Sequence, residues 1–278
     1  DKDYSAGFST EYFSRKWNYR VSGVYVGDNF RSDLGFIRRT DIFKIFPRIE
    51  RSFWPQGKNI QKHSFSFTPV FLWKPNLNFQ NSDYALISRW QASYKNNTEF
   101  SVEMFNRYTY LYSDFDPTST SGSVPLMGNK GYKYTSIRAS YRSDQRKKVF
   151  YSLNPSIGQF FNGKKYSLRT NLTWRIQPYF SGSLLINYDK IELPNPYPSA
   201  SIWLIGPKVD LTFNKSFFWS TFIQYSSQQK NFGVNTRLQW RFAPLSDLFI
   251  VYNDNYFSND FAPRYRSLNL KLTYWLNI

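Results

Sequence analysis

From Phe232 to Phe242 the chain alternates without a break. Val234, Thr236, Leu238, Trp240 and Phe242 take one parity; Asn235, Arg237, Gln239 and Arg241 take the other. Successive side chains of a strand point to opposite faces, so the pattern predicts a strand that is apolar on one face and polar to basic on the other. The connection A-P-L-S-D and the run L-F-I-V-Y-N-D-N-Y-F that follow complete a hairpin signature over residues 231–257.

The same design recurs along the chain. It predicts strands over residues 4–16, 19–26, 41–54, 63–73, 83–95, 99–112, 132–142, 149–160, 166–177, 179–190, 202–213, 217–227 and 268–278, about fifteen with the hairpin. Pro47 inside 41–54 predicts a bulge or weak pairing site, because proline has no N–H to give to a ladder. Most segments approach the ~9–11 residues of a membrane-crossing strand, longer than the ~5–6 residues usual in soluble sheets. Connections near 17, 97, 146, 178, 215 and 245 read as short, and 27–40, 74–82, 113–131, 191–200 and 258–266 as long. Outer-membrane barrels have short periplasmic turns and longer extracellular loops. With the last strand ending at the periplasm, every short connection is expected on that side and every long one outside.

Composition sharpens this picture. Aromatics make up 21% of the 278 residues, with 22 Tyr, 27 Phe and 9 Trp, while mean hydropathy is low. Transmembrane barrels combine those properties, since lipid-facing positions alternate with polar interior ones and aromatic girdles mark the interfaces. No run approaches the ~20 apolar residues of a spanning helix. With no cysteine, disulfides and thiolate metal sites are excluded. The net charge of +17 comes from Lys and Arg interleaved with aromatics inside strands rather than gathered in runs, which argues against a nucleic-acid partner. The predicted fold is therefore all-β, a transmembrane antiparallel up-and-down β-barrel of about 14–16 strands, one domain over residues 1–278. An antiparallel barrel closes on an even number of strands, so at least one N-terminal strand is expected to be missing. From Asp1 the sequence shows no basic n-region or apolar h-region, so the expectation is a leader that has been removed or a chain that is the C-terminal part of a longer one; with the strand count, the second is preferred.

Two stretches are more distinctive than the rest, D-N-F-R-S-D-L-G-F-I-R-R-T-D at 28–41 and R-L-Q-W-R-F-A-P-L-S-D-L-F-I-V-Y-N-D at 237–254. They resemble the C-terminal barrel region of the DUF5916 family of Bacteroidota envelope proteins, with Arg38 where the family usually has Pro. The resemblance implies an outer-membrane location and an upstream carbohydrate-binding domain of family 9 type in the same chain.

The candidate chemistry lies on the polar parity. Arg89, Arg107, Arg138, Arg142, Arg169, Arg175, Lys208, Arg237, Arg241 and Lys271 all fall there, against few acids: Glu103, Asp189 and Asp210. Rings of basic side chains favour anions in pores; the competing expectation is a charged network filling a closed interior. Asp28, Asn29, Phe30, Asp33, Gly35, Arg38, Arg39 and Asp41 mark a possible constriction loop. Its acids could hold calcium, but pairing of Asp33 and Asp41 with Arg31, Arg38 or Arg39 is the favoured expectation. His63, the one histidine, reads as an interfacial polar residue near a short turn, and with no cysteine it leaves no metal site and no catalytic residue to name. Trp203 and Tyr197 could form a sugar platform, although girdle aromatics explain them more simply.

The function expected is a porin-like channel or ligand-guided pore for anionic or saccharide solutes, not an enzyme and without a cofactor. The alternative is a non-conducting barrel that anchors or scaffolds an outer-membrane complex. The expected partners are outer-membrane lipid and lipopolysaccharide, other outer-membrane barrels or surface lipoproteins, and the upstream carbohydrate-binding domain; the C-terminus is expected at the periplasmic side.

Overall fold

Alternation does produce strands almost throughout. The computed structural model describes residues 3–33, 35–120 and 122–276. Its strands are β1 (Ser5–Phe13), β2 (Trp17–Val26), β3 (Ile42–Ile45), β4 (Arg48–Phe53), β5 (Ile60–Lys74), β6 (Gln80–Tyr94), β7 (Glu99–Leu111) and β8 (Lys130–Arg142). They continue as β9 (Val149–Phe160), β10 (Gly163–Ile176), β11 (Phe180–Glu192), β12 (Ala200–Thr212), β13 (Phe217–Ser226), β14 (Asn231–Ala243), β15 (Ser246–Phe257) and β16 (Pro263–Thr273). Among the described residues the one helical element is a 3₁₀ turn, Pro75–Leu77, and no helix is long and apolar enough to cross a membrane.

The strands form one antiparallel up-and-down sheet in chain order. β3 and β4 share a single place in it, both pairing with β2 and β5, so sixteen strands fill fifteen positions among the described residues. The break between them falls at Phe46 and Pro47. Phe46 N–H still donates to Ser22 O at 2.9 Å, but Pro47 has no N–H to carry the ladder on, so the expected bulge is a full interruption.

Two expectations about connections need correction. The 74–82 and 258–266 loops shrink to 75–79 and 258–262 because the flanking strands run further than their apolar pattern. The first turn is tight, with Asn78 at φ 52° and Phe79 at φ 55°. The length asymmetry is also incomplete. On one set of alternate connections 27–41, 112–129 and 193–199 are long, yet 161–162 and 227–230 are tight, with Phe161 and Lys230 at φ 51° and 49° closing their turns. On the other set 54–59 and 143–148 exceed those tight turns.

The chain divides into two compact units. The first holds Asp1–Tyr141, Ser156–Tyr166 and Ile191–Ser199; the second holds Arg142–Pro155, Ser167–Lys190 and Ala200–Ile278. Directly paired residues of an antiparallel ladder share a face. In the first unit one such row runs Tyr12, Tyr19, Ile49, Phe67, Ser88, Met104, and the row beside it on the other face runs Glu50, Ser66, Arg89, Glu103. In the second unit Trp219, Leu238, Ile250 and Leu270 share one face, and Asp210, Ser220 and Arg237 the other.

Neither unit hides its apolar face. Fully covered apolar side chains among the described residues are few, with Leu126 and Ile191 the largest. The big ones stand open along the strands: Trp174 is 50% exposed, and Leu270 and Leu272 are each 68% exposed.

Candidate functional site

The polar face of the first unit carries a series of carboxylates, each held by two side chains, with at least one cation at each. Glu11 on β1 accepts from Asn18 Nδ2 at 2.7 Å and Arg20 Nη2 at 3.0 Å. Glu50 on β4 accepts from Arg48 and, at 3.3 Å, from Lys62 Nζ. Glu103 on β7 lies 3.5 Å from Arg89 Nε and 3.6 Å from Arg138 Nη1. Arg107 donates to Ser136 Oγ at 3.0 Å and covers the Phe105 ring at 4.1 Å, and Arg138 covers the same ring at 4.9 Å. A guanidinium stacked on an aromatic face keeps its charge while covering apolar surface.

The polar face of the second unit follows the same rule less completely. Asp210 pairs with Lys208 Nζ at 2.8 Å and accepts from Ser220 Oγ at 2.6 Å, with Arg237 directly across from Ser220. Asp247 holds Gln239 at 2.9 Å and Arg241 at 3.3 Å. Arg175 donates to Gln145 O and lies 4.6 Å from the Phe150 ring. Arg169 and Lys271 are exposed, and neither side chain has a hydrogen bond or ion pair among the described residues. Arg142 takes the same parity of β8 as Arg138.

All ten basic residues singled out from the sequence therefore lie on polar parities. Several carboxylates of these faces were not foreseen. Glu11, Glu50 and Asp247 join Glu103 and Asp210, because a pairing across strands depends on register that no single strand reveals. The one signal was R-I-E at 48–50, where Arg and Glu share a parity.

The 27–41 loop is tied at both ends and open between. Asn29 N–H donates to Asp3 Oδ2 at 2.9 Å. Asp41, nearly covered, accepts from Asn76 N–H at 3.0 Å and faces Lys74 Nζ at 3.7 Å. Arg39 donates to Asp83 at 2.9 Å, and Arg31 pairs with Asp33 at 3.1 Å. Asp33 thus pairs as expected, whereas Asp41 takes a lysine from β5 rather than a loop arginine. Phe30 is half-buried, Asp28, Gly35 and Arg38 are exposed, and Phe36 is 90% exposed. No cluster of three His, Asp or Glu side chains forms among the described residues, so Asp28, Asp33 and Asp41 do not converge on a cation. Beside the tied end a cavity of 380 Å³ is lined by Arg39, Lys74, Asp83, Thr109, Tyr112 and Phe115.

Two carboxylates organise the described residues of the 112–129 loop: Asp114 accepts from Gly128 N–H at 2.7 Å, and Asp116 holds more donors. Asp116 accepts from Thr118 N–H and Oγ1, Thr120 N–H and Ser123 Oγ at 2.7–2.8 Å. Burial alone raises a carboxyl pKa, but these four donors outweigh it and hold Asp116 at about 2. In the 143–148 turn, hydrogen bonds from the Arg146 side chain and backbone hold Asp144 at about 2 as well.

His63 lies on the aromatic face, stacked on Phe53 at 5.0 Å. Trp203 is on the apolar parity of β12, 4.3 Å from the Tyr188 ring, and Tyr197 lies half-buried in the 193–199 connection. Comparison of the chain with protein-family models, with curated proteins and with solved structures finds no match.

Proposed function

We propose that the sheet closes into a transmembrane β-barrel in a bacterial outer membrane and works as a channel with a basic interior, admitting anionic or saccharide solutes. The observation that carries this reading is the segregation of side chains along the strands: large apolar residues exposed on one parity, and the ten basic residues named above on the other. An apolar surface of that extent is unsuited to water and suited to lipid, where only helices and closed barrels satisfy the backbone. The polar parity then lines the interior, where its cations select for anions. The resemblance of 28–41 and 237–254 to DUF5916 barrel regions supports the same membrane, with the C-terminus at the periplasm. Fifteen antiparallel positions are an odd number, so one further strand from outside these residues would complete an even-numbered barrel.

A second reading, a non-conducting barrel that scaffolds envelope partners, is favoured by the shared carboxylates Glu11, Glu50 and Glu103, since a cross-linked interior resembles a plug. Single-channel conductance of the full-length protein in a planar bilayer, under a salt gradient, separates the two. Steady anion-selective current supports the channel. Silence from protein shown to be folded and inserted supports the scaffold.

A further inference from the structure

The aromatic face of the first unit carries one group of cations that the polar face cannot use. Arg51 projects from β4 on the aromatic side, paired across the ladders with Trp17 and Phe65. Its guanidinium lies 4.6 Å from the Trp17 ring and 5.3 Å from the Phe53 ring. Arg15 lies 5.7 Å from the Trp54 ring, and Trp54 Nε1–H donates to Arg15 O at 2.8 Å, which ties the 14–16 and 54–59 turns together. Lys16 stands next to it, and its carbonyl accepts from Ser52 N–H at 2.8 Å. Arg15, Lys16 and Arg51 are all exposed, and none has a carboxylate partner among the described residues. With His63 they line a cavity of 530 Å³ at the turn end of the strands.

Arg51 also lines a second cavity. This groove of 470 Å³ runs up the same face between Trp17, Ile49, Phe65, Phe67, Trp90 and Met104. A cationic pocket that opens into an apolar groove has the two-part chemistry of a lipid with an anionic head. A free phosphate would use the pocket and leave the groove empty.

We propose that this face holds a phospholipid with an anionic head group, its phosphate on Arg15, Lys16 and Arg51 and an acyl chain along the groove. The site rests on the membrane reading above and deepens it, assigning the lipid to the leaflet at the 14–16 and 54–59 turns. Aromatic rings flatten the basic side chains against the surface, so they meet a head group at the membrane boundary instead of extending into water.

The test is native mass spectrometry of the full-length protein in detergent, titrated separately with phosphatidylglycerol, phosphatidylcholine and inorganic phosphate. A basic residue near an anionic lipid surface strengthens binding about fivefold. Arg51→Gln should therefore weaken phosphatidylglycerol retention about fivefold, and the Arg15→Gln, Lys16→Gln, Arg51→Gln triple variant on the order of a hundredfold. Lys215→Gln, in the 213–216 turn, should leave it unchanged. Equal retention of both lipids, loss of phosphatidylglycerol to millimolar phosphate, or a triple variant that binds as the parent does would each overturn the site. If the triple variant does not fold, Arg15→Gln and Arg51→Gln singly give the same reading. Flotation with vesicles is scored separately. Selective lipid binding without insertion would leave the site standing and remove the barrel, and insertion without selectivity would do the reverse.

Discussion

Asp254 and Arg266 stand directly across the β15–β16 ladder, with Arg266 Nε donating to Asp254 Oδ2 at 2.8 Å. They do so on the parity of Leu268, Leu270 and Leu272, which is the apolar one. Tyr252 and Tyr256 each donate a hydroxyl to the same oxygen at 2.5 Å, and the carboxylate is only 1% exposed. Removing one partner of a covered ion pair leaves the other charge uncompensated. Arg266→Ala should therefore destabilise the fold by leaving the Asp254 carboxylate without its cation, whereas Asp254→Ala should cost less, because the freed arginine, already more than half exposed, reaches polar surroundings on its long stem. The temperature at which the folded form converts on semi-native electrophoresis orders the two variants.

The 112–129 loop should open in acid. Asp116 has its folded pKa lowered from 3.8 to about 2, so its stabilisation is complete above the unfolded value and is lost as pH falls through the folded one. Cleavage by pepsin inside the loop should rise on the order of tenfold between pH 4 and pH 2. Asp116→Asn should be cleaved readily at both and show a flat profile.

If the polar parity lines a conducting path, its charges should act with opposite signs. Arg169→Gln and Lys271→Gln remove cations that have no carboxylate beside them, so each should lower anion preference. Asp210→Asn releases Lys208 from its 2.8 Å pair and should raise it. Reversal potentials under a salt gradient measure both directions, and shifts of one sign in all three variants would count against a conducting role for this face.

The strands themselves were legible because parity is written within each one. Leu168, Leu172, Trp174 and Ile176 declare the face of β10 without any neighbour, and all ten basic residues of the candidate site fell on polar parities for that reason. What depended on two strands was not legible. Glu50 with Lys62 and Asp247 with Arg241 require a register. The start of β16 was read five residues late because Arg264 and Arg266 interrupt its apolar parity, and their use becomes visible only once Asp254 and Phe257 stand opposite or beside them. Pro47 announced trouble in its strand, but its severity depended on both flanking ladders.

Gly158 is among the glycines fixed by close approach of backbone. A Cβ on Gly158 would lie 2.4 Å from Ser136 Cα and 2.4 Å from Thr135 O, both backbone atoms that cannot turn aside. Gly158→Val should cost about 3 kcal/mol and lower the yield refolded from urea into detergent. Gly57→Ala, where nothing lies within 4 Å, should refold as the parent does.

The two tethers of the 27–41 loop limit what it can do. Asp41 is fixed to the 75–79 turn and Asn29 to Asp3, so neither foot is free to swing. A hinged door needs one loose edge, and neither end of this loop offers one; it is closer to a basket handle on a fixed footing. If the proposed channel passes solute beside this loop, a fixed rim would filter it rather than a gate admit it, and the rate of passage should then depend on the size of the solute more than on the timing of the loop.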